Sequence, residues 1–392
     1  MKILLITISL SCLLCSCNNQ SFIQGDFHAK DTIDMKNITI NDEPILLSDF
    51  INQIIYYPIP TERDFLIGDI SKMVVTDSIF FLVDNQICHS VFIISKDYES
   101  ISKIHHHGNG PTEYLQINDA FYDKRNDEVG IYCNLSNKIY YYYTNGEFVR
   151  IHEIPYDGEM AQPINNNIII HTTYKENHQL KKKNMFPNLI QINPKNISNP
   201  QCCNYFKESV RRDIVWCSNS WFCTWDDTIC IKPDHGNIVY HCTNNDLYPA
   251  HYLDFGRNNI DERYWEQATQ NNMTIEKLEE FCRMENLCEI IWYLENEKFI
   301  YFTCKQEGKL YQVLFSKRTK KTHIITKTIN DIDMYAKFQP KAILGNKLYG
   351  IIPAYDVVQL RNIVLAADTP ERLLTVEEGD NPIIIEFTLK DF

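Results

Sequence analysis

The chain has 392 residues, with 38 lysines and arginines against 51 aspartates and glutamates, so its formal net charge is −13. Nucleic-acid backbones are bound by clustered cations, and no basic run here is longer than Lys181–Lys183, which excludes nucleic acid as an expected partner. No run of 18 apolar residues occurs, so we expect no transmembrane helix.

The N-terminus has the layout of a secretory signal. Lys2 precedes an apolar run that ends at Leu14 and is too short to remain in a bilayer as a spanning helix. The following residues up to Cys17 resemble the bacterial lipobox, and this resemblance implies cleavage before Cys17 and lipidation of that residue. The alternative is an ordinary signal cleaved near Ser16, which would release a soluble protein. We assign residues 1–16 to a lipoprotein signal peptide and expect the membrane as a partner through Cys17.

Residues 17–36 are polar and weakly patterned, and they predict a flexible tether after the lipidated cysteine. Asn18-Asn19-Gln20 carries no acidic cluster of the kind that accompanies surface export in some lipoproteins. The expected location is therefore the cell envelope, on the outer membrane and facing the periplasm. The remaining residues 37–392 are too many for one ordinary core, but this length is normal for a ring of repeats.

The start of this region contains a predicted strand at Ile38–Ile40 and a short helical turn near residue 47, which Ser48 is placed to cap. A further strand is predicted at Ile54–Pro60. Its prolines end it, because proline cannot donate to a strand ladder.

Two successive sets of short apolar strands between residues 79 and 149 have the same shape. The first set is Ile79–Val83, Ser90–Ile94 and Ile101–Ile104, and the second is Glu128–Tyr132, Lys138–Tyr143 and Glu147–Ile151. A shift of 48 residues places the turn at Tyr98 on the turn at Gly146. A period of this size, built from short strands and tight turns, is typical of a β-propeller blade.

Further strand groups complete a count of six blades. They lie at residues 168–192, 221–241, 298–325 and 347–352. A propeller closes its ring by combining strands from both ends of the chain, because an unpaired edge would otherwise remain. Ile54–Pro60 and the final strand Pro382–Leu389 are the natural pair for this closure. The sequence therefore predicts an all-β, six-bladed β-propeller.

One segment departs from the β pattern. Residues 259–265 and 274–282 are predicted helices, with Thr274 as an N-cap. The apolar positions that recur at steps of three and four are Ile275, Leu278, Phe281, Cys282, Cys288 and Ile291. We therefore expect a short helical insertion at about residues 258–288, between blades four and five.

A short motif resembles a family signature. The residues that match a Gly-x-Gly-Pro-x-Glu-Tyr pattern are Gly108, Gly110, Pro111, Glu113 and Tyr114. This pattern is similar to that of the lipid-anchored six-bladed β-propeller proteins of Bacteroidota, which belong to the wider TolB-like and NHL-repeat-like propellers. The resemblance extends over nearly the whole mature chain, through Leu47–Phe50, Leu253–Gly256 and Asp380–Pro382. It implies the fold and a structural role for the signature, but no catalytic residues and no known cofactor.

Three histidines precede this signature, where basic or small residues are usual in the family. Adjacent side chains of an extended segment point to opposite faces, so only His105 and His107 could hold one metal ion together, with a further ligand from elsewhere. We expect a polar loop between blades instead.

Glu113 has no carboxylate partner of the kind that acid-base catalysis needs. We expect it to accept backbone hydrogen bonds where two blades meet.

Of the fourteen cysteines, three lie in the signal and at the anchor, which leaves eleven in the globular part. An odd number cannot all pair within one chain, and we expect mostly buried thiols. Those inside predicted strands are Cys88, Cys133, Cys223, Cys230 and Cys304. The exceptions to this expectation are the adjacent Cys202-Cys203 and the set Cys217, Cys223, Cys230 and Cys242. No paired CxxC spacing indicates a structural zinc site.

Aromatic clusters suggest carbohydrate stacking, but alternate residues of a strand must be buried, so we expect core positions. They are Trp216, Trp221, Trp225 and Tyr140–Tyr143.

We favour a lipid-anchored binding or interaction module with a protein or carbohydrate ligand. The alternatives are a metal-dependent hydrolase or lactonase-like enzyme and a structural subunit that docks through its acidic surface. Acidic, amide or histidine side chains that converge at the inner-strand ends would favour the enzyme, because fold alone cannot decide.

Overall fold

The computed structural model describes residues 23–24, 29–36, 43–215, 222–364 and 368–392. In this part of the chain six small β-sheets stand in a ring, which confirms the predicted six-bladed β-propeller. Neighbouring strands of each four-stranded blade pair antiparallel. The first strand of every blade lies innermost, because residues from all six first strands line one central channel.

The first three blades follow one another along the chain. Blade one contains Lys72–Val75, Ile79–Asp84, Ser90–Ser95 and Ile101–Ile104. Blade two contains Asp119–Asp123, Glu128–Cys133, Lys138–Tyr143 and Phe148–Glu153. Blade three contains Met160–Ile164, Asn167–His171, Met185–Asn193 and Asn196–Lys207.

The last three blades complete the ring. Blade four contains Cys223–Trp225, Thr228–Ile231, Ile238–Cys242 and Leu247–Asp254. Blade five contains Glu289–Glu295, Phe299–Gln306, Lys309–Ser316 and Thr322–Ile325. Blade six contains Ala342–Leu344, Lys347–Ile352, Ile383–Leu389 and, from the other end of the chain, Ile51–Pro58.

The ring is closed in blade six as the sequence predicts. The final strand pairs antiparallel with the early strand Ile51–Pro58, and Ile385 lies opposite Tyr56. The early strand begins three residues before the predicted Ile54 and ends at Pro58. Closure leaves no open edge at the junction between the two chain ends.

Short segments near the N-terminus extend two blades. Ile23–Gln24 pairs with the last strand of blade three, and Asp31–Asp34 runs parallel to the last strand of blade four. The prediction of a flexible tether over residues 17–36 is therefore wrong for Asp31–Asp34. The reason is packing, because Ile33 is only 3% exposed and joins the core. The predicted signal peptide and the predicted strand Ile38–Ile40 lie outside the described residues.

A 3-10 turn at Leu47–Asp49 occupies the position of the predicted helical turn, but its cap is different. Leu46 is the N-cap residue, and no side chain caps the turn. Ser48 lies inside it, and its hydroxyl donates to Asp331 at 2.5 Å. The predicted capping role of Ser48 is therefore wrong. A second parallel strand pair, Ile45–Leu46 with Thr328–Ile329, ties the same segment to the region after blade five.

The helical insertion is present between blades four and five. It consists of α2, Glu262–Ala268, and α3, Ile275–Met284, which Asp261 and Thr274 cap. Leu278 is buried, but Ile275 is 53% exposed and does not belong to the packed face. Cys288 and Ile291 were predicted to continue the helical period. Instead, Cys288 directly precedes the first strand of blade five, and Ile291 lies within that strand. The insertion packs against the blade-three side, where Trp265 lies 5.7 Å from Tyr174 between ring centroids.

The other helical elements lie in connections between strands. They are α1, Arg212–Val215, α4, Ala354–Arg361, and the 3-10 helices His178–Leu180, Gly256–Asn258 and Glu371–Leu373. The sequence did not predict α4, which is inserted between the second and third strands of blade six. No helix in the described part of the chain is long and apolar enough to span a membrane.

The core lies between the blades, because both faces of each sheet pack against a neighbour. Phe81 of blade one stacks on Tyr122 of blade two at 4.6 Å between ring centroids. On the other face of the same strand, Phe80 meets Tyr349 of blade six at 5.8 Å. Such contacts contribute beyond simple burial of apolar area. They hold the first strands in place around the channel.

Candidate functional site

A central channel of about 830 Å³ runs between the first strands of the blades. This volume falls within the range of small-molecule sites, about 300–1,000 Å³. One lining residue from each blade in turn is Val74, Tyr122, Gln162, Thr224, Trp292 and Ile343. The wall therefore combines apolar, aromatic and hydrogen-bonding groups.

The charges on the channel wall balance. Its cationic residues are Lys72, Lys124, Arg125 and Lys341. Its acidic residues are Asp123, Asp226, Asp227 and Glu295. Four positive and four negative side chains cancel formally, whereas the whole protein carries a net charge of −13. The channel lining is therefore less acidic than the protein as a whole.

Turn geometry explains the polar residues at one mouth of the channel, where first and second strands join. Asp127, Asn165 and Asp226 occupy such turns with φ of 54°, 54° and 45°. Asparagine and aspartate tolerate this left-handed backbone better than other residues with a side chain. A structural requirement therefore places polar groups at this mouth.

Two ion pairs connect different blades at the channel. Lys72 Nζ lies 2.6 Å from Asp119 Oδ1, and both side chains are almost fully buried. Arg125 and Asp227 are 3.0 Å apart, and they join blade two to blade four past the intervening blade three. This second pair is more than half exposed, so it contributes little to stability.

A second polar site lies between blades four and five. Glu295 ends the first strand of blade five, and its side chain has no exposed surface. Its Oε1 atom lies 3.1 Å from His241 Nε2, 2.9 Å from His251 Nε2 and 2.5 Å from Lys317 Nζ. One buried carboxylate oxygen thus contacts three nitrogen atoms.

The other carboxylate oxygen of Glu295 also has two donors. The Tyr293 hydroxyl donates to Oε2 at 2.8 Å, and the Cys230 thiol donates to it at 3.0 Å. Tyr293 and Glu295 are two residues apart in one strand, so their side chains face the same side. In blade four, Cys230 lies directly opposite His241 in the strand register. The strand geometry therefore brings all these groups to one point.

The site changes the protonation of its members. Burial acts to raise the pKa of Glu295, but hydrogen bonds from His241 and His251 and the charge of Lys317 outweigh it and hold that pKa well below the usual 4.5. Burial, followed by the charge of Glu295, raises the pKa of the Cys230 thiol well above its usual 9.0. Glu295 is therefore ionised at neutral pH, and the thiol keeps its proton.

The three histidines that the sequence singled out point to separate partners. His105 Nδ1 lies 2.9 Å from Ser90 Oγ, and His106 Nε2 lies 3.0 Å from the carbonyl oxygen of Gly146. His107 Nε2 lies 2.9 Å from the carbonyl oxygen of Leu115. Within the described residues, the one group of three metal-ligating side chains is Cys230, His241 and Glu295, which lie away from this loop. The structure does not bring His105 and His107 together as ligands.

The family signature forms a tight turn between blades one and two. Glu113 accepts a hydrogen bond from the Gly110 backbone at 2.7 Å. A Cβ atom added at Gly108 would lie 2.1 Å from Glu113 Oε2, so the carboxylate fills the space that a side chain would need. Tyr114 is fully buried and donates to the carbonyl of His89 at 2.8 Å. Pro111 is exposed between the glycines and Glu113.

The predicted aromatic cluster separates into different environments. Tyr140, Tyr141 and Tyr142 are buried, which agrees with the expected core role, and Tyr143 is 46% exposed. Trp225 packs beside the Glu295 site, with Lys317 Nζ 5.1 Å from its ring centroid. Trp216 and Trp221 lie outside the described residues. Trp292, which lines the channel together with other aromatic residues such as Tyr122, was not predicted.

None of the ten cysteines in the described residues forms a disulfide. The buried ones are Cys133, Cys223, Cys230, Cys242, Cys288 and Cys304. Cys88 is partly exposed and precedes a strand rather than lying inside one. The predicted exceptions Cys202 and Cys203 also form no disulfide within the described residues. Cys17 and Cys217 lie outside the described residues.

Comparison with protein families gives one match. The chain fits, over residues 30–388, the model of a family described as a domain of unknown function, DUF4934. No protein with a curated description matches the chain.

Two of the solved structures that this chain resembles come from the genus Bacteroides. A Bacteroides fragilis protein named "Putative exported protein" matches 92% of this chain and 100% of its own, with a TM-score of 0.70 and 12% sequence identity. A Bacteroides vulgatus member of the DUF4221 family matches 87% of this chain and 97% of its own, with a TM-score of 0.47 and 8% identity. The first likeness supports the fold.

Proposed function

Because this chain belongs to the DUF4934 family and folds as a six-bladed propeller, we propose that it is a binding module of the cell envelope whose ligand occupies the central channel. The channel is the observation that carries this proposal. It offers about 830 Å³ enclosed by all six blades. Ligand sites in proteins are concave, with mixed apolar and polar walls of this kind.

The wall favours a neutral, polar ligand. Lys72 and Glu295 are buried in other contacts, and the remaining three cationic and three acidic residues of the lining cancel, so no net field selects an ion of either sign. Gln162 donates to the Thr224 hydroxyl at 2.9 Å, and Thr224 is exposed to the channel. Trp292 is partly exposed at the same wall and provides a flat apolar surface. A neutral oligosaccharide combines hydroxyl groups with an apolar ring face and fits this combination.

The cellular location is part of the same proposal. The N-terminal residues predict a lipoprotein signal that ends before Cys17. The name of the Bacteroides fragilis protein with the same fold assigns that protein to the exported class. A lipid at Cys17 would hold the propeller at the outer membrane, where it would bind its ligand on the periplasmic side.

The binding test uses a blocked channel. The probes are neutral oligosaccharides, with sulfated oligosaccharides of the same length as the charged comparison, titrated against the purified protein by calorimetry and thermal shift. A ligand at 100 times its Kd stabilises the folded state by about 2.7 kcal/mol. We expect this stabilisation with neutral ligands. Binding of the sulfated probes alone would contradict the proposed ligand class.

Thr224→Trp fills the channel from an exposed position, and we expect it to abolish binding. Thr322→Trp is the matched control, because Thr322 is also exposed but lies in the last strand of blade five, away from the channel. Equal binding by both variants would place the ligand outside the channel and overturn the proposal.

A further inference from the structure

The site between blades four and five brings together donor atoms of the kinds that transition metals use. Cys230, His241 and Glu295 each offer one ligand atom, and these atoms all lie within 4.8 Å of one another. His251 lies outside this group of three, but its Nε2 atom is 2.9 Å from Glu295 Oε1 and can supply a fourth donor. We propose that these four residues bind one divalent transition-metal ion of the zinc class. No metal ligand was predicted at these positions from the sequence.

The chemistry of the donor set selects the class of metal. Zinc is bound by cysteine sulfur, histidine nitrogen and carboxylate oxygen, most often as four ligands in a tetrahedron. Calcium and magnesium prefer oxygen ligands only, so a thiol and two imidazoles disfavour them. One sulfur, two nitrogens and one oxygen match the borderline-soft character of zinc or cobalt.

The framework holds these donors before any ion binds. Cys230 and His241 face each other across neighbouring strands. His251 is paired with Val239, which lies two residues before His241 in the same strand as His241. Cys230 is 1% exposed, whereas the side chains of His241 and His251 are 12% and 14% exposed. The site is therefore enclosed, but an ion can reach it past the imidazoles. A preorganised site loses little conformational freedom on binding.

Proton release accompanies binding. The ion takes the Cys230 sulfur as a thiolate, so the thiol proton leaves to solvent. Each imidazole must offer the lone pair of Nε2, and its ring proton then resides on Nδ1. The Tyr293 hydroxyl remains as a hydrogen-bond donor to the carboxylate, which is the usual role of groups around the ligands.

Lys317 is a competing cation at the same carboxylate. Its Nζ atom lies 2.5 Å from Glu295 Oε1 and also donates to the Asn296 carbonyl at 2.6 Å. A second positive charge beside the ammonium is repelled, so Lys317 weakens metal binding. The Lys317 side chain is 19% exposed, which allows the ammonium to turn towards water.

The test is a Co²⁺ and Zn²⁺ titration of the purified full-length protein after chelator treatment. We expect one Co²⁺ per chain, with the absorption bands of tetrahedral cobalt and a thiolate charge-transfer band. Zn²⁺ should displace it. Absence of stoichiometric Co²⁺ binding, or a cobalt spectrum without the thiolate band, would overturn the proposal. This test uses the wild-type protein, so it does not depend on whether any variant folds.

Variants locate the ion. Loss of a residue that only hydrogen-bonds to a metal ligand costs about 10–100-fold in metal affinity. His241 is proposed as a ligand itself, so His241→Ala should weaken metal binding by at least about 100-fold. Cys230→Ser should lose the charge-transfer band. The controls are His178→Ala, an exposed histidine, and Cys242→Ser, a buried thiol of the same blade outside the site. Equal loss in a ligand variant and its control would contradict the assignment.

Lys317→Met gives the opposite change. Without the ammonium, the ion becomes the only cation at Glu295, and we expect affinity to rise at least about tenfold because one charge repulsion is removed. Circular dichroism checks that the apo variant is folded. Unchanged affinity would place the ion away from Glu295 and overturn the proposed ligand set.

Discussion

The Nε2 atom of His251 lies 2.9 Å from the Oε1 atom of Glu295, although the two residues belong to different blades. This contact joins the last strand of blade four to the first strand of blade five through a buried carboxylate. Apolar packing also holds adjacent blades together, and blades one and two share the buried Lys72–Asp119 ion pair. The ionised group therefore makes the stability of this interface depend on one residue.

Glu295→Gln should destabilise the protein strongly. The amide keeps the volume of the side chain but removes the charge that Lys317 faces, and its N–H groups meet hydrogen-bond donors. Loss of one partner from a buried charge pair costs about 3–5 kcal/mol. Urea unfolding in the presence of a chelator measures this difference. Glu297→Gln, an exposed change two residues away, should stay within about 0.5 kcal/mol.

His171 should make the stability fall in acid. It is fully buried, and neither ring nitrogen has a hydrogen-bond partner among the described residues. Burial, together with the charge of Lys232, lowers the pKa of His171 from 6.5 to about 3. The folded state holds the neutral ring, so its contribution is complete above pH 6.5 and is lost as the pH falls towards 3. One group of this kind costs about 1.4 kcal/mol per pH unit in that window.

His171→Gln cannot take up this proton, so its free energy of unfolding should fall less steeply below pH 6.5 than that of the wild type. Urea unfolding at a series of pH values measures both slopes. His178→Gln is the control, because the side chain of His178 is 70% exposed. Parallel pH profiles for the wild type and His171→Gln would show that His171 is accessible to protons in the folded state.

The fold was predictable where strands are buried on both faces. Ile79–Asp84 and Ser90–Ser95 are almost entirely buried, so they appear in the sequence as continuous apolar runs. The short first strands Lys72–Val75 and Asp119–Asp123 carry polar residues at the channel wall and lack this pattern. The composition of these strands follows from their contact with the channel. The sequence alone does not show which residues make that contact.

The Glu295 site was not predictable from residue spacing. His241, His251 and Glu295 lie in three strands of two blades, and only packing between the blades brings them together. A weaker signal was present, because an ionisable residue in a buried strand needs a polar partner. Glu295 ends the run Ile290–Leu294, and such a position indicates that a partner exists but not which residue it is.

Phe387→Ala should weaken the closure of the ring. Phe387 is fully buried in the final strand, and its ring lies 5.3 Å from that of Phe338. Removal of a buried phenyl ring leaves a cavity and costs about 3–5 kcal/mol. Denaturant unfolding provides the measurement. Tyr355→Ala, at an aromatic residue that is 52% exposed, should change stability by less than about 0.5 kcal/mol. A small effect of Phe387→Ala would show that the closing strand is not part of the cooperative core.

Gly130 and Phe121 should show strong coupling. A Cβ atom at Gly130 would lie 2.1 Å from Phe121 Cζ, and Phe121 lies opposite Gly130 in the neighbouring strand. Gly130→Ala should therefore cost about 1–3 kcal/mol through overpacking. In the double variant with Phe121→Leu, the smaller side chain should remove most of this cost. A double-mutant cycle measures the coupling, and simple additivity would contradict the close contact.

Cys17→Ala should release the protein from membranes. Acyl chains contribute about 0.8 kcal/mol per buried methylene, and several chains on one residue give a durable anchor. Without the acceptor cysteine, the mature propeller has no lipid and should move to the soluble periplasmic fraction of a Gram-negative host. Cys15→Ala is the matched control, because this cysteine lies in the segment that the predicted cleavage would remove, so its loss should leave the protein on the membrane. Equal membrane partition of both variants would contradict lipidation at Cys17 and favour an ordinary signal cleaved near Ser16.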